Sequence, residues 1–142
     1  MIELTLDVAL RAAQSALEKA KEIGARMSVA VVDESGRTVV MLRGDGASFL
    51  GLQSARAKAV TAANFRRSTK ELGETAGGGN SLFWQSAPAV TQGELMPSMG
   101  GVPIWKDDRV IGAVGCGGGK NIQDHECAAY GAGAVSSPAH AP

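Results

Sequence analysis

The sequence predicts an α+β fold in which a central antiparallel sheet, built from two β-hairpins, is flanked by helices. Two β-rich segments, MSVAVVDESGRTVVML and GGVPIWKDDRVIGAVGCGGG, are each interrupted by a short charged turn, as is typical of a hairpin. Stretches with helical spacing precede, separate and follow them. Because the strands pair locally and the helices lie between hairpins, a doubly wound parallel sheet is not expected.

Three segments carry the pattern of helices. Apolar residues recur at helical spacing over Leu6–Ile23, with Thr5 as a candidate N-cap and Gly24 as a C-terminal glycine. An alanine-rich stripe along Phe49–Phe65 predicts a helix whose backbone closely approaches a sheet or another subunit. Small residues also dominate the final helix predicted over Asn121–Val135.

The segments between these helices give weaker patterns. Ser68 and Glu71 form a possible capping box for a short helix at about Lys70–Leu72. TAGGGN is expected to be a flexible loop and SLFWQSAP an irregular turn. Ala89–Met99 is expected to hold a strand edge interrupted by Pro97. The second hairpin is expected to pair Val102–Trp105 with Val110–Cys116.

Length and composition indicate one domain over residues 1–135, followed by a Pro/Ser/Ala-rich tail over 136–142 that is expected to be disordered. The formal net charge is zero, which argues against nucleic acid as a partner and favours self-association. No signal peptide or membrane span is expected, so the sequence is interpreted as cytoplasmic. Cys116 and Cys127 are interpreted as reduced, buried thiols.

The glycine-rich segment GCGGGK does not match a phosphate-binding loop. Its spacing differs from GxxxxGK, and Asn121 follows where Ser or Thr is required. A dinucleotide-binding motif is also excluded, because a hairpin and not the start of a strand–helix–strand unit precedes it. The glycines are better explained by a hairpin and a tight strand-to-helix turn at a pocket or subunit contact. Docking of an anion or carboxylate at the helix start stays open.

Five motifs occur in a fixed order: DGAS, SARAKAVTAA, GGVPI, DxxVIGAVGxGGG and QDxxxAxxG. In this order and spacing they resemble the GlcG/HbpS-like family, a haem-binding-protein-like group that also includes the C-terminal domain of PduO-type proteins. The resemblance extends from Leu4 to Val135. It implies a profilin- or PAS-like α+β domain that forms homo-oligomers, dimers or higher. It also implies haem or corrinoid binding for some members, and cofactor-free, lyase-like activity on small aromatic substrates for others.

The order of these motifs does not say what each candidate binding residue does, so each residue is considered by its own chemistry. Arg56 and Lys58 could each bind a carboxylate, such as a haem propionate. They lie about 200° apart around a helix, so one is expected to bind ligand or cap a carbonyl while the other forms a salt bridge. Gly100 and Gly101 are expected to allow close approach of a ligand or a neighbouring chain.

His125 is the candidate haem ligand, because the other histidine, His140, lies in the tail. An exposed surface histidine or a general acid–base group are the alternatives for His125. Cys116, Tyr130 or a methionine would replace it if the iron ligand lies elsewhere. Asp124 is interpreted as a cap of the last helix.

One further feature concerns the wall of a ligand site. Phe83, Trp84, Met96 and Met99 could form an apolar wall for a flat ring, or belong to the core or an interface.

Three functions therefore remain. The leading hypothesis is a small-molecule-binding protein for haem or a related tetrapyrrole. The alternative is a cofactor-independent, lyase-like enzyme acting on a small aromatic or hydroxy acid in the same cleft. The third is an accessory interaction protein without a ligand.

Overall fold

The computed structural model describes residues 2–76 and 81–137, and this part of the chain forms five helices and four strands. In chain order they are α1 (Leu6–Glu22), β1 (Ser28–Asp33), β2 (Thr38–Arg43), α2 (Phe49–Phe65), α3 (Thr69–Ala76), α4 (Ser81–Val90), β3 (Gly101–Lys106), β4 (Arg109–Gly117) and α5 (Asn121–Val135). The strands form one antiparallel sheet in the order β2-β1-β4-β3. The predicted α+β fold with a sheet made of two hairpins is confirmed.

The sheet separates two layers of helices, because successive strand residues point to opposite faces. Val29 and Val31 of β1 belong to the core cluster that contains residues of α1 and α5. Val32 of β1 and Ala113 of β4 pack instead with the alanines of α2. Helix α2 therefore covers one face of the sheet, and α1 with α5 covers the other.

Small residues bring α2 onto the sheet, as the alanine stripe predicted. A Cβ atom at Gly115 of β4 would collide with the backbone of Ala55 and Ala59 in α2. The stripe therefore packs against the sheet of its own chain. On the opposite face, a Cβ at Gly131 of α5 would lie 2.6 Å from the carbonyl oxygen of Ala12 in α1. Both helix layers thus depend on glycine at points of backbone contact.

The segment after α3 differs from the sequence prediction. SLFWQSAP belongs to helix α4 and is not an irregular turn. In this helix, the ring centroid of Trp84 lies 5.0 Å from that of Phe65 in α2, and the ring of Phe83 also packs against Phe65. Pro88 lies in the last turn of this helix, where proline lacks the N–H that would donate to the carbonyl four residues earlier. Aromatic packing therefore overrides the weak local pattern.

The expected strand edge over Ala89–Met99 is also wrong, because residues 91–100 form turns and a loop. This loop is attached to α2 by side chains. The hydroxyl of Thr61 accepts a hydrogen bond from the backbone N–H of Met96 at 2.7 Å, and Glu94 pairs with Arg56. A loop whose polar groups are satisfied by α2 has no need of a strand partner.

Backbone N–H groups on the outer edge of β3 are hydrogen-bonded to side chains from segments that precede and follow the strand. The Gly101 N–H donates to Thr69 Oγ1 at 2.8 Å, and the Trp105 N–H donates to Ser136 Oγ at 3.1 Å. Pro103, between them, has no N–H to donate. This pattern blocks the addition of another strand at that edge.

Ser136, the first residue of the predicted disordered tail, is thus attached to β3, and the disorder of that tail stays a prediction. Ser137 is also attached to β3, because its N–H donates to the Trp105 carbonyl at 3.0 Å. Residues 138–142, which include His140, lie outside the described residues, as do residues 77–80 of the predicted flexible loop. Within the described ranges, no helix has both the length and the apolar character needed to cross a membrane.

Candidate functional site

The two basic residues of α2 end in different surroundings. Arg56 is partly exposed and pairs with Glu94 at 2.9 Å, while its Nε donates to Thr38 Oγ1 of β2 at 3.2 Å. Lys58 is buried, and its Nζ reaches α5, the helix that covers the opposite face of the sheet. The expectation that the two residues point apart agrees with these contacts, and Arg56 forms the predicted salt bridge.

Lys58 pairs with Asp124 of α5 inside the protein. The Nζ–Oδ2 distance is 2.9 Å, and each side chain is only 4% exposed. Lys58 also donates to the carbonyl of Cys116, and Asp124 Oδ1 accepts the N–H of Gly119. Burial raises the pKa of the Asp124 carboxyl, while the hydrogen bond and charge of Lys58 oppose that rise. This network fixes the glycine turn between β4 and α5, so Asp124 does bond a backbone N–H near the helix start.

Gly100 and Gly101 lie against this network. At Gly100, where φ is +131°, a Cβ would lie 2.6 Å from the Cys116 carbonyl oxygen and 2.9 Å from Lys58 Cδ. At Gly101 it would collide with the carbonyl oxygen of Lys58. The close approach predicted for these glycines is made to the chain's own backbone and side chains. Ligand binding by Lys58, Gly100 and Gly101 stays a prediction, and none of the three lines a described cavity.

A cleft of about 410 Å³ lies beside the outer edge of β3, between α3 and α5. Val102, Pro103 and Trp105 of β3 form an apolar side. His125 of α5 lies in the same lining. The residues at the end of α2 and the start of α3 complete it: Arg66, Arg67, Ser68, Lys70 and Glu71. The volume is within the range of about 300–1,000 Å³ that is usual for small-molecule sites.

His125 is half-buried, and its Nδ1 atom is buried without a hydrogen-bond partner among the described residues. Burial lowers the pKa of the imidazole, and the nearby Lys70 ammonium lowers it further. The ring is therefore held in its neutral form near pH 7. The side chain is thus less exposed than expected for a histidine on an open helix surface, and its role stays a prediction.

The cleft carries an excess of positive charge. Its lining holds three basic residues, Arg66, Arg67 and Lys70, against one acidic residue, Glu71. Such a surface favours an anionic ligand. Sequence reasoning identified His125 but missed Arg66 and Trp105, although the tandem arginines directly after a predicted helix were a visible signal.

A second cavity, of about 1,220 Å³, lies at the hairpin-turn end of the sheet and shares only Arg66 and Trp105 with the first. Its apolar side includes Leu4, Val39 and Ile111. None of its described lining residues is a His, Cys, Met or Tyr, the side chains that hold haem iron. For a haem-type ligand the His125 cleft is therefore the better candidate.

The other candidate iron ligands are less accessible or lie elsewhere. Cys116 and Cys127 are free and buried, and burial raises the pKa of both thiols, that of Cys127 to about 11. Tyr130 is 50% exposed on α5, and the Lys19 ammonium lies 5.7 Å from its ring centroid. In the described part of the chain, no group of three or more His, Cys, Asp or Glu residues could hold a metal ion.

The predicted apolar wall is not part of either cavity. Phe83 and Trp84 pack together with Phe65 of α2, ring against ring. Met96 and Met99 lie in the loop before β3. None of these four candidates, Phe83, Trp84, Met96 and Met99, lines the cavities of the described structure.

Comparison with known proteins agrees with this architecture. The family model described as "Haem degrading protein HbpS-like" matches residues 4–133. Protein GlcG of Escherichia coli strain K12 is 36% identical over 98 residues, which is 69% of this chain and 69% of GlcG.

Two solved structures share the fold over most of their length. A double mutant of Streptomyces reticuli HbpS has a TM-score of 0.81 and 32% identity, over 94% of this chain and 88% of that chain. The structure named "PduOC:Heme Complex" has a TM-score of 0.83 and 27% identity, over 93% of this chain and 94% of that chain. Since the family model spans nearly all of the sequence, the chain belongs to the HbpS-like family.

Proposed function

We propose that this chain is a cytoplasmic small-molecule-binding protein whose ligand is haem or a related tetrapyrrole, bound in the His125 cleft. The observation that carries the proposal is that His125 lines an apolar and cationic cleft and that its buried Nδ1 has no hydrogen-bond partner among the described residues. Support also comes from the similarity of the whole fold to a protein whose structure is named as a haem complex.

The residues of the cleft fit such a group. A neutral imidazole is the form that binds iron, and the lowered pKa of His125 keeps it neutral near pH 7. Trp105 and Pro103 offer apolar surface to a flat ring. The excess of positive charge suits propionate groups. A bound haem would supply iron chemistry, whereas the chain's own residues hold and orient the ring.

The test is a titration of the purified protein with haemin, followed at the Soret band. We expect a saturable, stoichiometric shift that His125→Ala alters. His140→Ala is the matched control, since it removes the chain's other histidine, and it should behave as the unmodified protein. A saturable shift unchanged by His125→Ala would keep haem as ligand and move the iron contact to Tyr130, a methionine or Cys116.

No saturable shift with haemin would contradict the proposal. The same cleft would then be assayed for lyase-like turnover of small aromatic and hydroxy acids. A His125→Ala variant that loses such turnover would assign the imidazole as a general acid–base group. Neither binding nor turnover would favour the accessory role.

Self-association is part of the proposal. Leu82 and Val90 of α4 and Phe49 of α2 are each 74–80% exposed, and the net charge is zero. Large exposed apolar side chains and low charge both favour contact with another copy. We expect a dimer or a larger homo-oligomer in sedimentation velocity. A monomer at every concentration tested would contradict this.

A further inference from the structure

The three cations of the His125 cleft are not equivalent. Arg67 pairs with Glu71 at 3.1 Å, and Lys70 pairs with Glu74 at 3.2 Å, each one helical turn further along α3. Arg66 has no ion pair or hydrogen bond to its side chain within residues 2–76 and 81–137. Of the three, Arg66 alone has a side chain with no partner in the part of the chain that the structure describes.

The backbone fixes where Arg66 lies. It is the C-cap of α2, with φ 55° and ψ 35°, a left-handed conformation that is uncommon outside glycine and asparagine. This conformation ends α2 and turns the chain toward α3. Arg66 consequently stands at the boundary of the two cavities, next to Trp105, which lines both.

We propose that Arg66 is the specificity-determining residue of the cleft and selects ligands that carry a free carboxylate. The inference rests on the proposed function, which it narrows from tetrapyrroles in general to those with ionised side-chain carboxylates. A guanidinium pairs with a carboxylate through two parallel hydrogen bonds, so an esterified group cannot replace the acid. Arg67 and Lys70 contribute charge but keep their bonds to Glu71 and Glu74.

The experiment compares haemin with its dimethyl ester in one mixed solvent. We expect the unmodified protein to bind haemin about five- to tenfold more tightly than the ester. Arg66→Gln should abolish this preference, and Arg66→Lys should restore part of it. Arg11→Gln is the matched control: it removes an exposed guanidinium of α1 that lines neither cavity, and it should keep the preference.

Metal-free protoporphyrin IX separates carboxylate recognition from iron binding. Its binding, followed by porphyrin fluorescence, should weaken about five- to tenfold in Arg66→Gln, and by the same factor when Arg66→Gln is added to His125→Ala. Equal affinity for haemin and its ester, or equal losses in Arg66→Gln and Arg11→Gln, would overturn the role of Arg66 while leaving haem binding intact. Failure of haemin to bind at all would overturn the proposed function itself.

Discussion

Two ion pairs begin on the same helix, two residues apart, and have opposite surroundings. The Lys58–Asp124 pair joins α2 to α5 with both side chains 4% exposed, whereas in the Arg56–Glu94 pair the side chains are 34% and 43% exposed. Both have an N–O distance of 2.9 Å. Positions 56 and 58 lie about 200° apart around α2, so the Lys58 pair is buried while the Arg56 pair stays partly exposed to water. Contact geometry alone therefore gives no measure of what either pair contributes.

The largest effect is expected from breaking the buried pair. Lys58→Met should lower the free energy of unfolding by about 3–5 kcal/mol, because the Asp124 carboxylate is left buried without its counter-charge. Urea unfolding followed by circular dichroism measures the change. The double variant Lys58→Met/Asp124→Asn should recover about 2 kcal/mol relative to the sum of the single changes. Strict additivity would show that the two groups are not coupled.

The cost of Lys58→Met should also depend on pH. Burial already raises the pKa of Asp124, and loss of the Lys58 ammonium removes the main group that opposes the rise. A carboxyl with a raised pKa in the folded state binds a proton more readily there than in the unfolded chain, so its contribution to stability is lost as pH rises through the folded pKa. The stability gap between Lys58→Met and the unmodified protein should therefore be widest at neutral pH and narrow as the pH falls toward 3.8, the ordinary value. A gap that stays constant over this range would contradict the assignment.

An intermediate effect is expected from crowding the buried pair. Gly100→Ala should cost about 2–3 kcal/mol, since φ is +131° and the new Cβ would lie 3.0 Å from Asp124 Cβ as well as against Lys58. Gly24→Ala is the control, because φ there is +72° but no atom lies within 4 Å of the added Cβ. It should cost only about 1 kcal/mol, from backbone conformation alone. Equal costs in urea unfolding would mean that packing against the pair contributes nothing.

The sequence predicted those parts of the fold whose interactions are local. Thr5 caps α1 by accepting the N–H of Val8, three residues away, and the predicted start of that helix is correct. The bounds of α5 were also predicted correctly. Helix α4 was missed because contacts of Phe83 and Trp84 with Phe65, distant in sequence, decide its conformation.

The candidate site was less predictable, because its residues are also brought together by contacts between segments distant in sequence. Asp124 lies 66 residues from Lys58, and only the packing of α5 against the sheet brings them together. Arg66, Trp105 and His125 come from the end of α2, an edge strand and α5, with no local motif linking them. Residue type made His125 a candidate, but its burial, and the lack of a partner for its Nδ1 among the described residues, depend on the tertiary structure.

The smallest effect is expected from the exposed pair. Arg56→Met should lower the free energy of unfolding by only about 0.2–1 kcal/mol, because water screens the charges of Arg56 and Glu94. The loss should shrink further in concentrated salt, whereas the loss in Lys58→Met should change little, since a buried pair is screened less. Glu94→Gln, which keeps the shape of the acid, is the matched control and should behave like Arg56→Met. A cost for Arg56→Met close to that of Lys58→Met would mean that the loop carrying Glu94, and not the charge pair, is what Arg56 stabilises. The difference in exposure between the two ion pairs would then not explain how much each contributes to stability.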